Sequence, residues 1–269
     1  MSRTLYWGSG STPAWRVQIA LAEKELVREE RANGEKKVEG ASALRTSRAP
    51  PPPHSSSSSS PRPSLFSLQE YESKCVEFSK QGHKAPEIMA LNPRGQVPTL
   101  VDEDGTVVCE SLAAVLYLDR AYPAAGTALV PAEAAAAGAV LQRTLEAGVL
   151  HAKISDVIYP KMRGTLASEE SMAAWNEKVE ALKAELGYWE GYAPAVGSTA
   201  FLCGDAFTAA DAAVAPFLLG VRRFGATLAA FPKLAAYADR LAARPSVAST
   251  WPPHWKESEG PGWMAGVGL

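Results

Sequence analysis

Short apolar runs alternate with helical ones in the first half of the chain, and from Pro131 onward only helical spacing remains. TLYW (4–7) has the length and apolar density of a strand, and GSGSTP (8–13) reads as a loop. Ala14, Val17, Ala20 and Leu21 fall on one face of a helix predicted over 14–26. KCVEF (74–78) predicts a second strand and APEIMALN (85–92) a short helix. VPTLV (97–101) and TVVC (106–109), separated by Asp102-Glu103-Asp104-Gly105, predict a hairpin, and SLAAVLYLDRAY (111–122) returns to helical spacing. That order describes a small α/β layer. Helices are then predicted over about 131–158, 168–192, 208–223 and 232–243, with Ser168 and Thr208 at N-cap positions and Pro232 in the first turn of the last. The pattern divides the chain into an α/β domain over 1–123, an all-α domain over 130–250 and a tail over 251–269.

One stretch interrupts the pattern. Residues 28–48 are rich in Arg, Lys and Glu, and APPPPHSSSSSSPRPS (49–64) offers four consecutive prolines, six consecutive serines and little to bury. The expectation is a disordered insertion over about 27–69. Joining Leu26 to Glu70 yields AEKELEYESKCVEF, a short helix-to-strand connection, so the stretch reads as a translated intron or a lineage-specific insertion; a genuine long loop is the other reading.

Composition narrows the function classes. A formal net charge of −2 argues against a nucleic-acid binder, which gathers a basic excess on one face. No apolar run is long enough to span a bilayer, because the Ala-rich segment 206–221 is broken by Asp211 and Pro216, and the N-terminal residues lack the apolar stretch of a secretory signal. Cys75, Cys109 and Cys203 lie far apart, and His54, His83, His151 and His254 share no ligand-like spacing, so neither a disulfide framework nor a metal site is expected. A cytoplasmic setting is the simplest expectation.

Three features carry candidate chemistry. Ser11 lies in a glycine-rich loop directly before a helix, where a hydroxyl and unpaired N–H groups favour an anion; a thiolate held there would lose pKa from about 8.5 towards neutrality. Pro98 heads a strand and, if the Val97–Pro98 bond is cis, Val97 can present its backbone to an extended peptide. Glu110 and Ser111 stand at a strand-to-helix step that suits an amino-acid head group, the helix end for its carboxylate and Glu110 for its ammonium. Taken singly, each feature is equally a helix cap or an edge-strand proline.

Together and in this order they resemble a known family. STPAWRVQIALAEKEL, HKAPEIMALNPRGQVPTLVDEDG and CESLAAVLYLDRAYP look like the thioredoxin-fold N-terminal domain of cytosolic glutathione transferases, and FLCGDAFTAADAAVAPFL like the capped core helix of that family's all-α domain. LYWGSGSTPAWRV and RPSVASTWPPHW are similar to the rho class. The resemblance implies an α/β thioredoxin-like N-terminal domain plus an all-α C-terminal domain. It further implies a homodimeric detoxification enzyme that conjugates glutathione, its co-substrate, to small apolar electrophiles without a metal or redox cofactor. Ser11 matches the position of the catalytic serine or cysteine, with the strand residue Tyr6 as the alternative hydroxyl. Lys84, Gln96, Val97, Glu110 and Ser111 match glutathione-binding positions, and the electrophile pocket is expected near Leu150, Ile154 and Tyr159. Serine at 11 argues against a cysteine-type thiol transferase, and Pro13 stands where zeta enzymes place a cysteine, against an isomerase. A non-catalytic binding or docking protein and a glutathione-dependent peroxidase are the rival readings.

Overall fold

The computed structural model describes residues 2–32, 35–39 and 70–269. A central strand, β1 (Arg3–Trp7), has all five residues buried, the mark of an interior strand. It pairs in parallel with β4 (Glu70–Cys75), Arg3 opposite Tyr71 through Trp7 opposite Cys75. On its other side it runs antiparallel to β5 (Thr99–Val101), which forms a hairpin with β6 (Val107–Val108). Between β1 and β4 the chain passes through α1 (Thr12–Glu23). A short α2 (Pro86–Leu91) leads into β5, and α3 (Ser111–Ala121) closes the domain. Strand–helix–parallel strand followed by helix, antiparallel hairpin and helix is the thioredoxin-like arrangement.

The one charged residue of β1 is a fixed point. Asp102, at the start of the β5–β6 turn, accepts from Arg3 Nε at 2.9 Å, Tyr117 Oη at 2.7 Å and Tyr122 Oη at 2.5 Å. This network ties the first strand, the hairpin and α3 together.

Two expectations need correction. The segment expected to lack structure from residue 27 instead forms β2 (Val27–Ala32) and β3 (Glu35–Glu39), an antiparallel hairpin that extends the sheet to six strands in the order β3-β2-β4-β1-β5-β6. β2 lies parallel to β4, Val27 opposite Glu70. The charge-rich run hides this because a hairpin added at a sheet edge is held by backbone pairing and needs no apolar alternation. The remainder of the expected insertion, 33–34 and 40–69, lies outside the described residues. The second strand also starts earlier than read, at Glu70, and ends at Cys75; after Val76 N–H bonds Trp7 O at 2.7 Å, the chain turns through two 3₁₀ turns, Phe78–Lys80 and Gly82–Lys84.

β1, β4, β5 and β6 are mutually paired without β2 and β3. Deleting 27–69 is therefore expected to leave a folded four-stranded sheet. It shortens a connection from about 45 to about 4 residues, which returns roughly 2 kcal/mol of closure entropy. A melting temperature at or above that of the full chain is the expected result; a lower one would show that the edge hairpin stabilises the sheet.

The remaining helices are α4 (Ala134–Arg163), α5 (Glu169–Tyr192), α6 (Ala209–Arg223), α7 (Pro232–Ala243) and the short α8 (Pro245–Ser249) and α9 (Pro253–Glu257). α6 is buried from Ala209 to Val221, and its small residues let α1 and α4 approach closely. The two halves are clasped at Glu23, whose carboxylate receives Arg244 Nε at 2.7 Å and Nη2 at 2.8 Å, together with the Ser246 hydroxyl. Burial pushes the Glu23 pKa up, but the Arg244 and Ser246 hydrogen bonds outweigh it and the net shift is downward from 4.5. A depressed carboxyl pKa supplies stability that is complete above about pH 4.5 and lost as the pH falls through the folded value. Glu23→Gln should cost about 1.5–3 kcal/mol at neutral pH and flatten the acid limb of the stability curve, as read by urea unfolding across pH. An unchanged acid limb would remove the clasp from acid denaturation.

Candidate active site

The loop Gly8–Ser11 carries the chain from the buried end of β1 into α1. Gly10 has φ +81°, a left-handed conformation that favours glycine. Ser11 N–H bonds Gly8 O at 3.0 Å, and Ser11 itself is the N-cap of α1 at φ −72°, ψ 102°. Its Oγ accepts from Ala14 N–H at 3.3 Å, which leaves the hydroxyl proton free to donate. Pro13 in the first turn lacks an N–H that would otherwise stand unpaired.

Tyr6 lies within β1 and is 7% exposed. Its Oη receives Lys74 Nζ at 3.4 Å, and the same ammonium lies 5.1 Å from its ring centroid. The hydroxyl is thus engaged with the neighbouring strand.

Across the sheet, the loop between α2 and β5 is built by Asn92, whose Nδ2 donates to Gln96 O at 3.0 Å and whose Oδ1 accepts from Arg94 N–H at 3.1 Å. This loop presents Gln96, exposed, and Val97, half-buried, and the Val97–Pro98 peptide is cis. Lys84 folds back on the same loop, its Nζ donating to Arg94 O at 2.9 Å beside Gly95, where a Cβ would stand 2.9 Å from the ammonium.

At α3 the sequence reading needs adjustment. Glu110, not Ser111, occupies the N-cap, and its carboxylate makes no cap hydrogen bond. Ser111 is the first helical residue, buried, with its hydroxyl oxygen accepting from Arg16 Nη1 at 3.2 Å. Arg16 also donates to Ala213 O at 2.7 Å and Ala147 O at 2.9 Å, and lies 4.2 Å from the Phe217 ring centroid. Burial brings this guanidinium down to about 9. His151, stacked on the other partner of that cation, the Phe217 ring, is brought down to about 4 by burial and by Arg16, so it is neutral at physiological pH.

Leu150 and Ile154 are buried in the core, whereas Tyr159 is 44% exposed beside Arg163, its ring 5.3 Å from that guanidinium. The three do not form one surface. What does lie on the glycine loop is the tail: Ser9 Oγ and His254 Nδ1 are 2.6 Å apart, and a Cβ at Gly10 would stand 2.8 Å from His254 Cε1. Trp255 is buried edge-on against Trp15 at 5.4 Å, Trp251 packs on the same ring at 5.1 Å, and Trp15 Nε1 donates to Thr250 Oγ1 at 2.9 Å. Sequence reasoning missed Ser9, His254 and Trp255; the signal was Trp251 and Trp255 one helical turn apart in a segment taken as a tail.

The two halves of this arrangement have known counterparts. Residues 68–121 match the glutathione S-transferase N-terminal domain and residues 150–245 the glutathione S-transferase C-terminal domain. Over 255 residues the chain is 34% identical to Glutathione S-transferase A of Pleuronectes platessa, covering 95% of this chain and 93% of that protein. The chain belongs to the glutathione S-transferase family. A solved glutathione S-transferase from the Antarctic clam Laternula elliptica shares its fold at TM-score 0.74 and 30% identity, covering 99% of this chain and all of that one (100%). A maleylacetoacetate isomerase of Pseudomonas aeruginosa is 30% identical over 190 residues, 68% of this chain and 84% of that protein. The transferase has no helix among its described residues long and apolar enough to cross a membrane, and no group of His, Cys, Asp and Glu among them that could hold a metal.

Proposed function

We propose that this glutathione S-transferase binds glutathione along the α2–β5 loop and the N-terminus of α3, and that Ser11 donates a hydrogen bond to its thiolate. The observation that carries the reading is the state of the Ser11 hydroxyl: one lone pair is taken by Ala14 N–H, the proton is free, and the oxygen sits at the positive end of α1. A hydrogen bond to an anion together with a helix end supplies enough free energy to lower a thiol pKa by roughly 1–2 units. Tyr6 is the weaker choice because it lies within β1, 7% exposed, and stands at no helix end.

The remaining assignments follow the same geometry. Val97 offers backbone groups to the cysteinyl amide with Gln96 alongside, and Lys84 stands near the glycine carboxylate. Glu110, its carboxylate free of any cap bond, suits the γ-glutamyl ammonium. Ser111 suits the carboxylate: Arg16 occupies its oxygen as an acceptor, so its proton is left to donate. The thiolate then attacks an electrophilic carbon of a small apolar compound, aided by proximity and orientation. The electrophile is held beside Ser11 with the tail as one wall, and not against Leu150 and Ile154, which are core. Leu141, Leu145 and Val149 form an exposed apolar stripe at i, i+4 and i+8 on α4, which supports a homodimer.

A chromogenic conjugation assay on the purified chain tests the activity. Turnover supports transfer. Glutathione binding without turnover supports a non-catalytic binding protein, and turnover with hydroperoxides alone supports a peroxidase using the same thiolate.

A further inference from the structure

The glycine loop that presents Ser11 is held from outside its own domain. Gly8, Ser9 and Gly10 contribute one side chain among three residues, and that side chain, Ser9 Oγ, meets His254 Nδ1 at 2.6 Å. Gly10 lies so close beneath the imidazole that a Cβ would stand 2.8 Å from Cε1 and 3.3 Å from Nε2. The segment that carries the imidazole is itself anchored: Trp255, its neighbour in α9, is buried against Trp15 of α1, Ser258 Oγ donates to the backbone His254 O at 3.1 Å, and Arg223 Nη2 reaches Ser258 Oγ at 3.0 Å. Glycine-rich backbone has many conformations to lose, so a single tether on such a loop has a large effect on which conformation is populated.

We propose that His254 is a positioning residue of the thiol site, fixing Ser9 and through it the orientation of Ser11, a role that rests on the reading of Ser11 as the thiol-facing group. The contact needs no particular tautomer: the Ser9 hydroxyl donates to a bare Nδ1 and accepts from a protonated one. Burial, then Arg223, lower the His254 pKa against the opposing Glu257. Asparagine places an amide oxygen and nitrogen near the position of Nδ1, so it can preserve the tether in either sense.

The test titrates the thiol of glutathione bound to the full chain by its ultraviolet thiolate absorbance, in parallel with the kcat/KM pH profile. Ser9→Ala and His254→Ala are each expected to raise the bound thiol pKa by about one unit, roughly a three- to eightfold loss of thiolate at pH 7. The double variant should be no worse than either single, and His254→Asn should lie near the parent. Melting temperatures report whether the tail still docks, and Ser9→Ala, on the exposed side of the loop, carries the test if His254→Ala fails to fold. An unshifted thiol pKa in the single variants, losses that multiply in the double, or no recovery in His254→Asn overturns the assignment. Ser11→Ala run alongside separates the two failures. If it alone raises the thiol pKa, only the His254 role falls; if it too leaves the pKa unchanged, the serine reading falls first.

Discussion

Ser11→Ala is expected to lower kcat/KM for conjugation roughly 10- to 100-fold at pH 7, with glutathione affinity changed little. The loss should appear as a displacement of the pH profile: the alkaline rise moves up by the same one to two units, and activity recovers at high pH where the thiol ionises unaided. Removing the N-cap also costs the helix about 1 kcal/mol, so stability must be followed in the same variant. Ser11→Thr separates the two effects, since threonine both caps and carries a hydroxyl, and it should retain most of the activity. Tyr6→Phe should leave the pH profile in place, because the side chain is buried within β1 and stands at no helix end. Equal activity of Ser11→Ala and the parent chain, with an unmoved profile, would transfer the role to another group, Tyr6 first.

Asp211→Ala is expected to be the most damaging single change to stability among those considered. The carboxylate is wholly buried at the start of α6 and accepts from Thr208 N–H at 2.7 Å, Thr208 Oγ1 at 2.7 Å, Leu202 N–H at 3.0 Å and the Tyr237 hydroxyl. Alanine would leave four donors buried without an acceptor, each costing about 1–3 kcal/mol if it finds no water. Because they share one site the costs do not add fully, and a net loss of about 3–5 kcal/mol is expected. For a chain of this size that lowers the melting temperature by roughly 8–15 °C and takes much of a typical stability of 5–15 kcal/mol. Asp211→Asn should fall between the two, since its amide nitrogen must face groups that are themselves donors. A melting point within about 2 °C of the parent would mean that the network is replaced by water and that α6 does not depend on it.

Much of this was legible in one sequence because it is written in local chemistry. Thr208 with Asp211, Ser168 before α5 and Pro232 at the head of α7 are residue types whose side chains or fixed φ act within one helical turn, and the structure places all of them at those helix starts. The alternation of strand and helix in the first half and the helical spacing in the second likewise depend only on neighbours in the chain. For the site, the Gly–Ser loop before α1 and the strand-to-helix step at 110–111 were readable for the same reason, while the exchange of roles between Glu110 and Ser111 was not. That exchange arises because Arg16, 95 positions away, takes the Ser111 oxygen.

Tertiary structure alone decided three further matters. The charged run at 27–39 became an edge hairpin because β4 offered an open row of backbone groups, which no side-chain pattern announces. Leu150 and Ile154 became core rather than pocket because α6 packs against that face of α4. His254 reached Ser9 across 245 positions because a pair of tryptophans, Trp251 and Trp255, had to be buried and found Trp15. Order within a turn is set by covalent neighbours, and so it can be read along the chain. Which surfaces meet depends on where large apolar areas can leave water, a property of the folded body as a whole.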